Sequence, residues 1–133
     1  MKLITYTDGG SRNNPGPSGL GVYVIDAHGK MVFEHSRYLG VMTNNQAEYH
    51  AIIDALEHCA RLGADEVEMR MDSELAVKQL NHIYRVKHPN IVPLFLRISN
   101  LKTQFTRVTF HHVRREQNTE ADRLANEAMD RGA

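Results

Sequence analysis

Along residues 3–7, side chains alternate with period two: Ile4, Tyr6 and Asp8 share one face, and Leu3, Thr5 and Thr7 share the other. The pattern predicts a strand that stops at Asp8, followed by a loop of glycine, asparagine and proline. Residues 19–25, GLGVYVI, read as a second strand rich in β-branched and aromatic side chains. A short hairpin connection at 26–29 leads to a third strand over 30–38. The period then lengthens. Ala47, Ala51, Ile52, Ala55, Leu56, Cys59 and Leu62 recur at helical spacing within 44–62, and Gly63 is placed to end that helix. A fourth strand over 67–71, a short helix over 73–81 and a connector over 82–93 come next. A helix over 94–105 follows, with Leu94, Phe95, Ile98, Leu101 and Phe105 as its apolar positions. A fifth strand over 107–113 and a last helix over 119–129, with Ala121, Leu124, Ala125 and Ala128 facing inward, complete the chain.

The order βββαβααβα implies an α/β fold with a mixed sheet: three antiparallel strands, then parallel ones, with helices on both faces. The crossover from the first strand to the fourth should be right-handed. At 133 residues, one domain spanning 1–133 is expected. Formal net charge is zero, from 16 basic and 16 acidic residues, so any binding of nucleic acid must be local rather than driven by bulk charge. Eleven of the sixteen basic residues are arginine, which suits forked contacts to phosphate or carboxylate. The single cysteine, Cys59, excludes an intrachain disulfide and sits at a core position of the long helix. No stretch approaches the ~18 apolar residues of a membrane span, and the N-terminus lacks a signal-peptide pattern. A soluble, cytoplasmic protein is expected.

Four acids stand at element boundaries. Asp8 ends the first strand, Glu48 opens the long helix, Asp72 follows the fourth strand and Asp122 opens the last helix. In an open α/β sheet the carboxyl ends of parallel strands and the helix N-termini share one edge, so the four can meet there. Each also has a plain structural explanation. Asn45 with Glu48, and Thr119 with Asp122, have capping-box spacing; Asp8 and Asp72 can be turn residues. Against this, Glu48 lies one turn before Ile52 on the apolar face, and Asp8 extends the row of Ile4 and Tyr6. Carboxylates converging on one partly buried point repel by about 4 kcal/mol at 4 Å and an effective dielectric near 20. Such a cluster persists with a cation inside it or with some members protonated. All-oxygen ligands suit Mg²⁺ or Mn²⁺. No Cys/His set has zinc spacing, which argues against a zinc protease or deaminase. Neither GxxxxGK[ST] nor GxGxxG occurs, which argues against a small nucleotide-binding protein.

The segments TDGGSRNNPGPSGLG at 7–21, TNNQAEYHAI at 43–52, MDSELAVKQL at 71–80 and HHVRREQNTEADRLANEA at 111–128 together resemble the type 1 ribonuclease H family over essentially the whole chain. The resemblance implies the ribonuclease H-like fold and cleavage of the RNA strand of RNA–DNA hybrids, leaving 3′-hydroxyl and 5′-phosphate ends. It implies that Asp8, Glu48, Asp72 and Asp122 hold two Mg²⁺ or Mn²⁺ ions during catalysis. Gly9 and Gly10 are then expected to let backbone approach the hybrid. Asn14, Asn44 and Asn45 would read the minor groove, where an amide can both donate to and accept from a 2′-hydroxyl. Helix capping for Asn44 and Asn45, and a turn before proline for Asn14, are the structural alternatives. A monomer acting on the hybrid is expected.

The chain departs from well-known bacterial members of that family in three places. The loop before the last acid, VRREQNTEAD, has no histidine; Arg115, or else Arg114, is the candidate to steer phosphate there. The connector at 82–93 replaces a lysine- and tryptophan-bearing protrusion and offers only Arg85 and Lys87, with His82 and His88 nearby. Glu74 adds a negative charge beside Asp72. Of His111 and His112, one is expected packed and one exposed. A non-catalytic nucleic-acid-binding module on the same fold is the rival reading, since fold alone does not settle function.

Overall fold

β1 (Lys2–Ser11), β2 (Gly16–Asp26) and β3 (Met31–Met42) form an antiparallel meander in the computed structural model, which describes residues 1–133. The chain then alternates helix and strand: α1 (Asn44–Arg61), β4 (Glu66–Met71), α2 (Glu74–Leu80), α3 (Val92–Lys102), β5 (Arg107–His112) and α4 (Thr119–Arg131). The sheet order is β3-β2-β1-β4-β5, with β4 parallel to both β1 and β5. This is the α/β mixed sheet expected from the element order.

β1 does not stop at Asp8. Its parallel pairing with β4 ends at Thr7↔Met71, but its antiparallel pairing with β2 continues through Gly9↔Leu20 and Gly10↔Gly19 to Ser11↔Ser18. Glycines carry no side-chain pattern, so the periodicity ends three residues before the hydrogen-bonded ladder does. Asp8 therefore sits where β1 loses one neighbour and keeps the other.

The two sheet faces are buried unequally. Leu3, Thr5 and Thr7 are buried, whereas Ile4, Tyr6 and Asp8 are only half-buried. A Cβ on Gly9 would lie 2.2 Å from the Ala47 backbone in α1. A Cβ on Gly21, opposite Asp8 in the ladder, would lie 2.0 Å from the Ala121 carbonyl in α4. Adjacent positions of a ladder point to opposite faces, so α1 and α4 cover opposite sides of the sheet. The α1 side is the deeper one, where Ile52, Leu56 and Cys59 are wholly buried. Ile52 and Leu56 each contribute about 1.5–3 kcal/mol by leaving water.

Helix ends follow local chemistry. Thr43 caps α1 by accepting from the Gln46 backbone N–H, and the Gln46 side chain accepts from the Thr43 N–H. Gly63 ends that helix at φ +81°, a left-handed turn that side-chain-bearing residues resist. α3 starts at Val92, two residues earlier than the apolar pattern indicates, because Pro93 fits a first helical turn. β5 is an edge strand, and both His111 and His112 are exposed rather than one being packed.

Candidate active site

Three carboxylates meet at the edge where β1 and β4 part. Asp72 directly follows β4, beside the Thr7↔Met71 pair, and so neighbours Asp8. Glu48 reaches the same point from α1. It lies beyond the first helical turn and has no capping role, because Thr43 and Gln46 form the box expected for Asn45 and Glu48. Ligand oxygens of Asp8, Glu48 and Asp72 all lie within 4.8 Å of one another. Asp122, in the first turn of α4, stands outside that tight group but adjoins Asp8 closely enough to raise its pKa. No side chain caps α4; the N-cap position belongs to Asn118, not to the Thr119–Asp122 box.

Gly9 is needed here for a different reason from the one read in the sequence. The close approach it permits is to α1, and its N–H donates to Glu48 Oε1 at 3.2 Å. Gly10 likewise faces protein, with Met129 3.3 Å from a Cβ placed there. A larger residue at position 9 would push α1 off β1 and move Glu48 away from Asp8.

Burial controls the electrostatics. Desolvation is the main cause that raises Asp8 to about 7; Glu48 opposes it, and the charges of Asp72 and Asp122 add to it. Glu48 is only 7% exposed and is pushed well above the usual carboxylate range, first by burial and then by Asp8. Without a cation, the cluster retains protons near neutral pH. Glu48 Oε2 is buried with no hydrogen-bond partner. A buried, unpartnered carboxylate oxygen facing two more carboxylates fits a hard divalent cation.

A cleft of about 860 Å³, lined mostly by polar residues, opens over the four acids. Gly9, Gly10, Asn14, Asn44, Asn45 and Arg115 all line it. Asn14 and Asn44 brace each other: Asn14 Oδ1 accepts from the Asn44 N–H at 2.9 Å, and Asn44 Oδ1 accepts from the Ser11 N–H at 2.6 Å. Their amide oxygens are thus engaged by backbone while the NH₂ groups keep their donors. Arg115 begins a short 3-10 turn over Arg115–Gln117. Arg114 points its guanidinium at Glu116 instead, 3.5 Å away, and does not line the cleft. Glu74 is paired with Lys78 at 2.7 Å, so its charge is compensated locally.

Asn118 escaped the sequence reading. It is 1% exposed; its Nδ2 donates to the Thr7 carbonyl at 2.9 Å and reaches Asp72 Oδ1 at 3.4 Å. One amide thereby ties the start of α4 to the ends of β1 and β4. Its only signal in the chain is an amide just ahead of a helix that carries a candidate acid. His88 and Asn90, from the connector, also border the cleft.

A polar cleft over converging carboxylates, at the split edge of a 3-2-1-4-5 sheet, defines a protein of the ribonuclease H-like fold. A family model described as "Reverse transcriptase-like" matches residues 6–128. The chain is 44% identical over 134 residues to the bifunctional protein Rv2228c of Mycobacterium tuberculosis, covering 100% of this chain and 37% of that protein. The crystal structure of RNase H1 from Halobacterium salinarum superposes with a TM-score of 0.96 at 41% identity, covering 98% of this chain and 99% of that one. The structure of LC11-RNase H1 in complex with RNA/DNA hybrid gives 0.93 at 46% identity, covering 97% of each. The chain belongs to the type 1 ribonuclease H family. It spans 37% of the length of the mycobacterial relatives it matches. No helix is long and apolar enough to cross a membrane.

Proposed function

We propose that this chain is a ribonuclease H that hydrolyses the RNA strand of RNA–DNA hybrids, leaving 3′-hydroxyl and 5′-phosphate ends. The observation that carries the reading is the convergence of Asp8, Glu48 and Asp72 within 4.8 Å, with Glu48 Oε2 buried and unpartnered. Asp8, Glu48, Asp72 and Asp122 are the residues that would hold two Mg²⁺ or Mn²⁺ ions. Bound divalent ions supply activation of an attacking water and stabilisation of the departing 3′ oxygen.

The chain's own residues supply position. The Gly9 N–H fixes one oxygen of Glu48 and leaves the other free for a ligand. Asn118 holds Asp72 against the end of β1. Asn14, Asn44 and Asn45 present amides along the cleft, where a donor–acceptor group can bind a ribose 2′-hydroxyl and so distinguish RNA from DNA. Gly9 and Gly10 border the cleft through their backbone, because a side chain at either position would point into α1 or Met129 rather than toward the hybrid. Arg115 would meet a backbone phosphate. It is always charged, so it can steer but not shuttle protons. With only Arg85 and Lys87 as lysine or arginine cations in the 82–93 connector, hybrid affinity rests on the cleft itself.

The deciding experiment compares wild type with Asp8→Asn on a labelled hybrid containing Mg²⁺ or Mn²⁺. Wild type should cleave only the RNA strand, and the variant should lose activity on the order of a thousandfold while still binding hybrid. Hybrid binding by wild type without any cleavage would favour the non-catalytic module. Equal cleavage by both proteins would remove Asp8 from the chemistry.

A further inference from the structure

A second set of ligand-bearing side chains lies away from the cleft, between β3 and the middle of α1. Asp54 and His58 are one helical turn apart on α1, and His35 faces them from β3. His35 Nδ1 is 3.0 Å from Asp54 Oδ1, and His58 Nδ1 is 3.2 Å from the same oxygen. All three ligand atoms fall within 4.8 Å of one another. We propose that His35, Asp54 and His58 form a binding site for a zinc-class transition ion that clamps β3 to α1.

The donor set is the first argument. Two imidazoles and one carboxylate suit Zn²⁺ and its neighbours, whereas the all-oxygen cluster at Asp8 suits Mg²⁺ or Mn²⁺. Spacing is the second. Zinc bonds of ~2.0–2.2 Å place tetrahedral ligands about 3.3 Å apart, close to the two distances to Asp54 Oδ1. Support around the site is the third. Arg37 lies 3.6 Å from Asp54 Oδ2, an oxygen that His35 Nδ1 also approaches at 3.2 Å, while Oδ1 faces both histidines; the guanidinium helps orient the carboxylate. Phe33 stacks on the His58 ring at 4.3 Å and gives the site an apolar wall. Asp54 is 5% exposed while the two histidines remain partly open, so an ion can enter from solvent and keep a water as fourth ligand.

Without metal, the same atoms hydrogen-bond. His58 Nδ1 lies 2.9 Å from the Asp54 carbonyl, which only accepts, so that nitrogen carries the hydrogen. Ion binding at His58 requires that hydrogen to leave Nδ1, so the bound ring carries its hydrogen on Nε2 and offers the Nδ1 lone pair. The linear sequence hides the site because one ligand comes from a strand and two from a helix.

Co²⁺ is the probe for the test, because a four-coordinate nitrogen-containing site gives it visible absorption that six-coordinate oxygen ligation lacks. Metal-free wild type and Asp8→Asn should both develop the band, and Zn²⁺ should abolish it. The His35→Gln/His58→Gln double variant should lose the band while keeping hybrid cleavage. In wild type, Zn²⁺ should shift the ¹⁵N resonances of the His35 and His58 Nδ1 atoms, a readout that needs no variant. The inference is overturned if wild type gives no band, if the folded double variant keeps it, if Asp8→Asn alone loses it, or if the two Nδ1 resonances stay put.

Discussion

Two buried carboxylates ride on α1 six positions apart, about 9 Å along the helix axis, and they are treated in opposite ways. Asp54 is surrounded by His35, His58 and Arg37, and both its oxygens have partners. Glu48 is surrounded by Asp8 and Asp72, and one of its oxygens has none. Helix and burial are nearly the same, so the neighbours decide the outcome. Donors around a buried acid make it a fastener between elements. Further acids around it create a deficit of positive charge that only protons or a cation can fill.

The largest stability effect separating the two regions should come from Asp54→Asn. It removes the charge that His35, His58 and Arg37 converge upon, and should destabilise the protein by about 1–3 kcal/mol in urea unfolding, the exposed Arg37 limiting the loss. Asp8→Asn should do the reverse in metal-free protein at pH 8, stabilising it on the order of 1–3 kcal/mol. If both substitutions destabilise alike, the contrast between the clusters fails.

The pH dependence sharpens that contrast. Asp8, raised to about 7 chiefly by burial, has a folded pKa above its unfolded value near 3.8. The folded state therefore binds more protons between those values. The stability this contributes is complete below pH ~4 and is lost as pH rises through about 7. Glu48 is shifted the same way, mainly by burial, and extends the loss. Metal-free wild type should thus weaken from pH 5 to pH 8, with Mg²⁺ restoring stability at pH 8 far more than at pH 5. Asp8→Asn should show a flatter profile and a smaller response to Mg²⁺. Thermal melts with EDTA or Mg²⁺ at the two pH values measure both effects.

Sequence periodicity carried the element order, because apolar spacing is a local property, and that order set Asp8, Glu48, Asp72 and Asp122 beside one edge of the sheet, where all four border one cleft. It missed what depends on two segments meeting. The ladder from Gly9 to Ser11 has no side-chain alternation to reveal it. The true cap, Thr43 with Gln46, lies two residues before the expected Asn45 with Glu48, and only the structure separates two boxes so closely spaced. Leu3, Thr5 and Thr7 form the deeper row although two are polar, because α1 covers their face more fully. Asn118 and the His35–Asp54–His58 set are contacts between elements, with no linear spacing to announce them.

The smallest effect concerns a residue that touches neither cluster. Arg115 lines the cleft and pairs with no carboxylate, whereas Arg114 is drawn toward Glu116. An unpaired guanidinium on a polar cleft wall can meet a phosphate without first breaking an ion pair. Arg115→Ala should therefore weaken hybrid binding and slow turnover several-fold, which corresponds to about 1 kcal/mol. The stabilisation by Mg²⁺ at pH 8 should be unchanged, because no acid loses a partner. Arg114→Ala should leave both quantities as they are. Steady-state rates at two salt concentrations give the decisive reading: wild type should lose more activity to added salt than Arg115→Ala does. An identical salt response in the two would leave the arginine a solvated charge on the rim, and hybrid positioning would then rest on the asparagines alone.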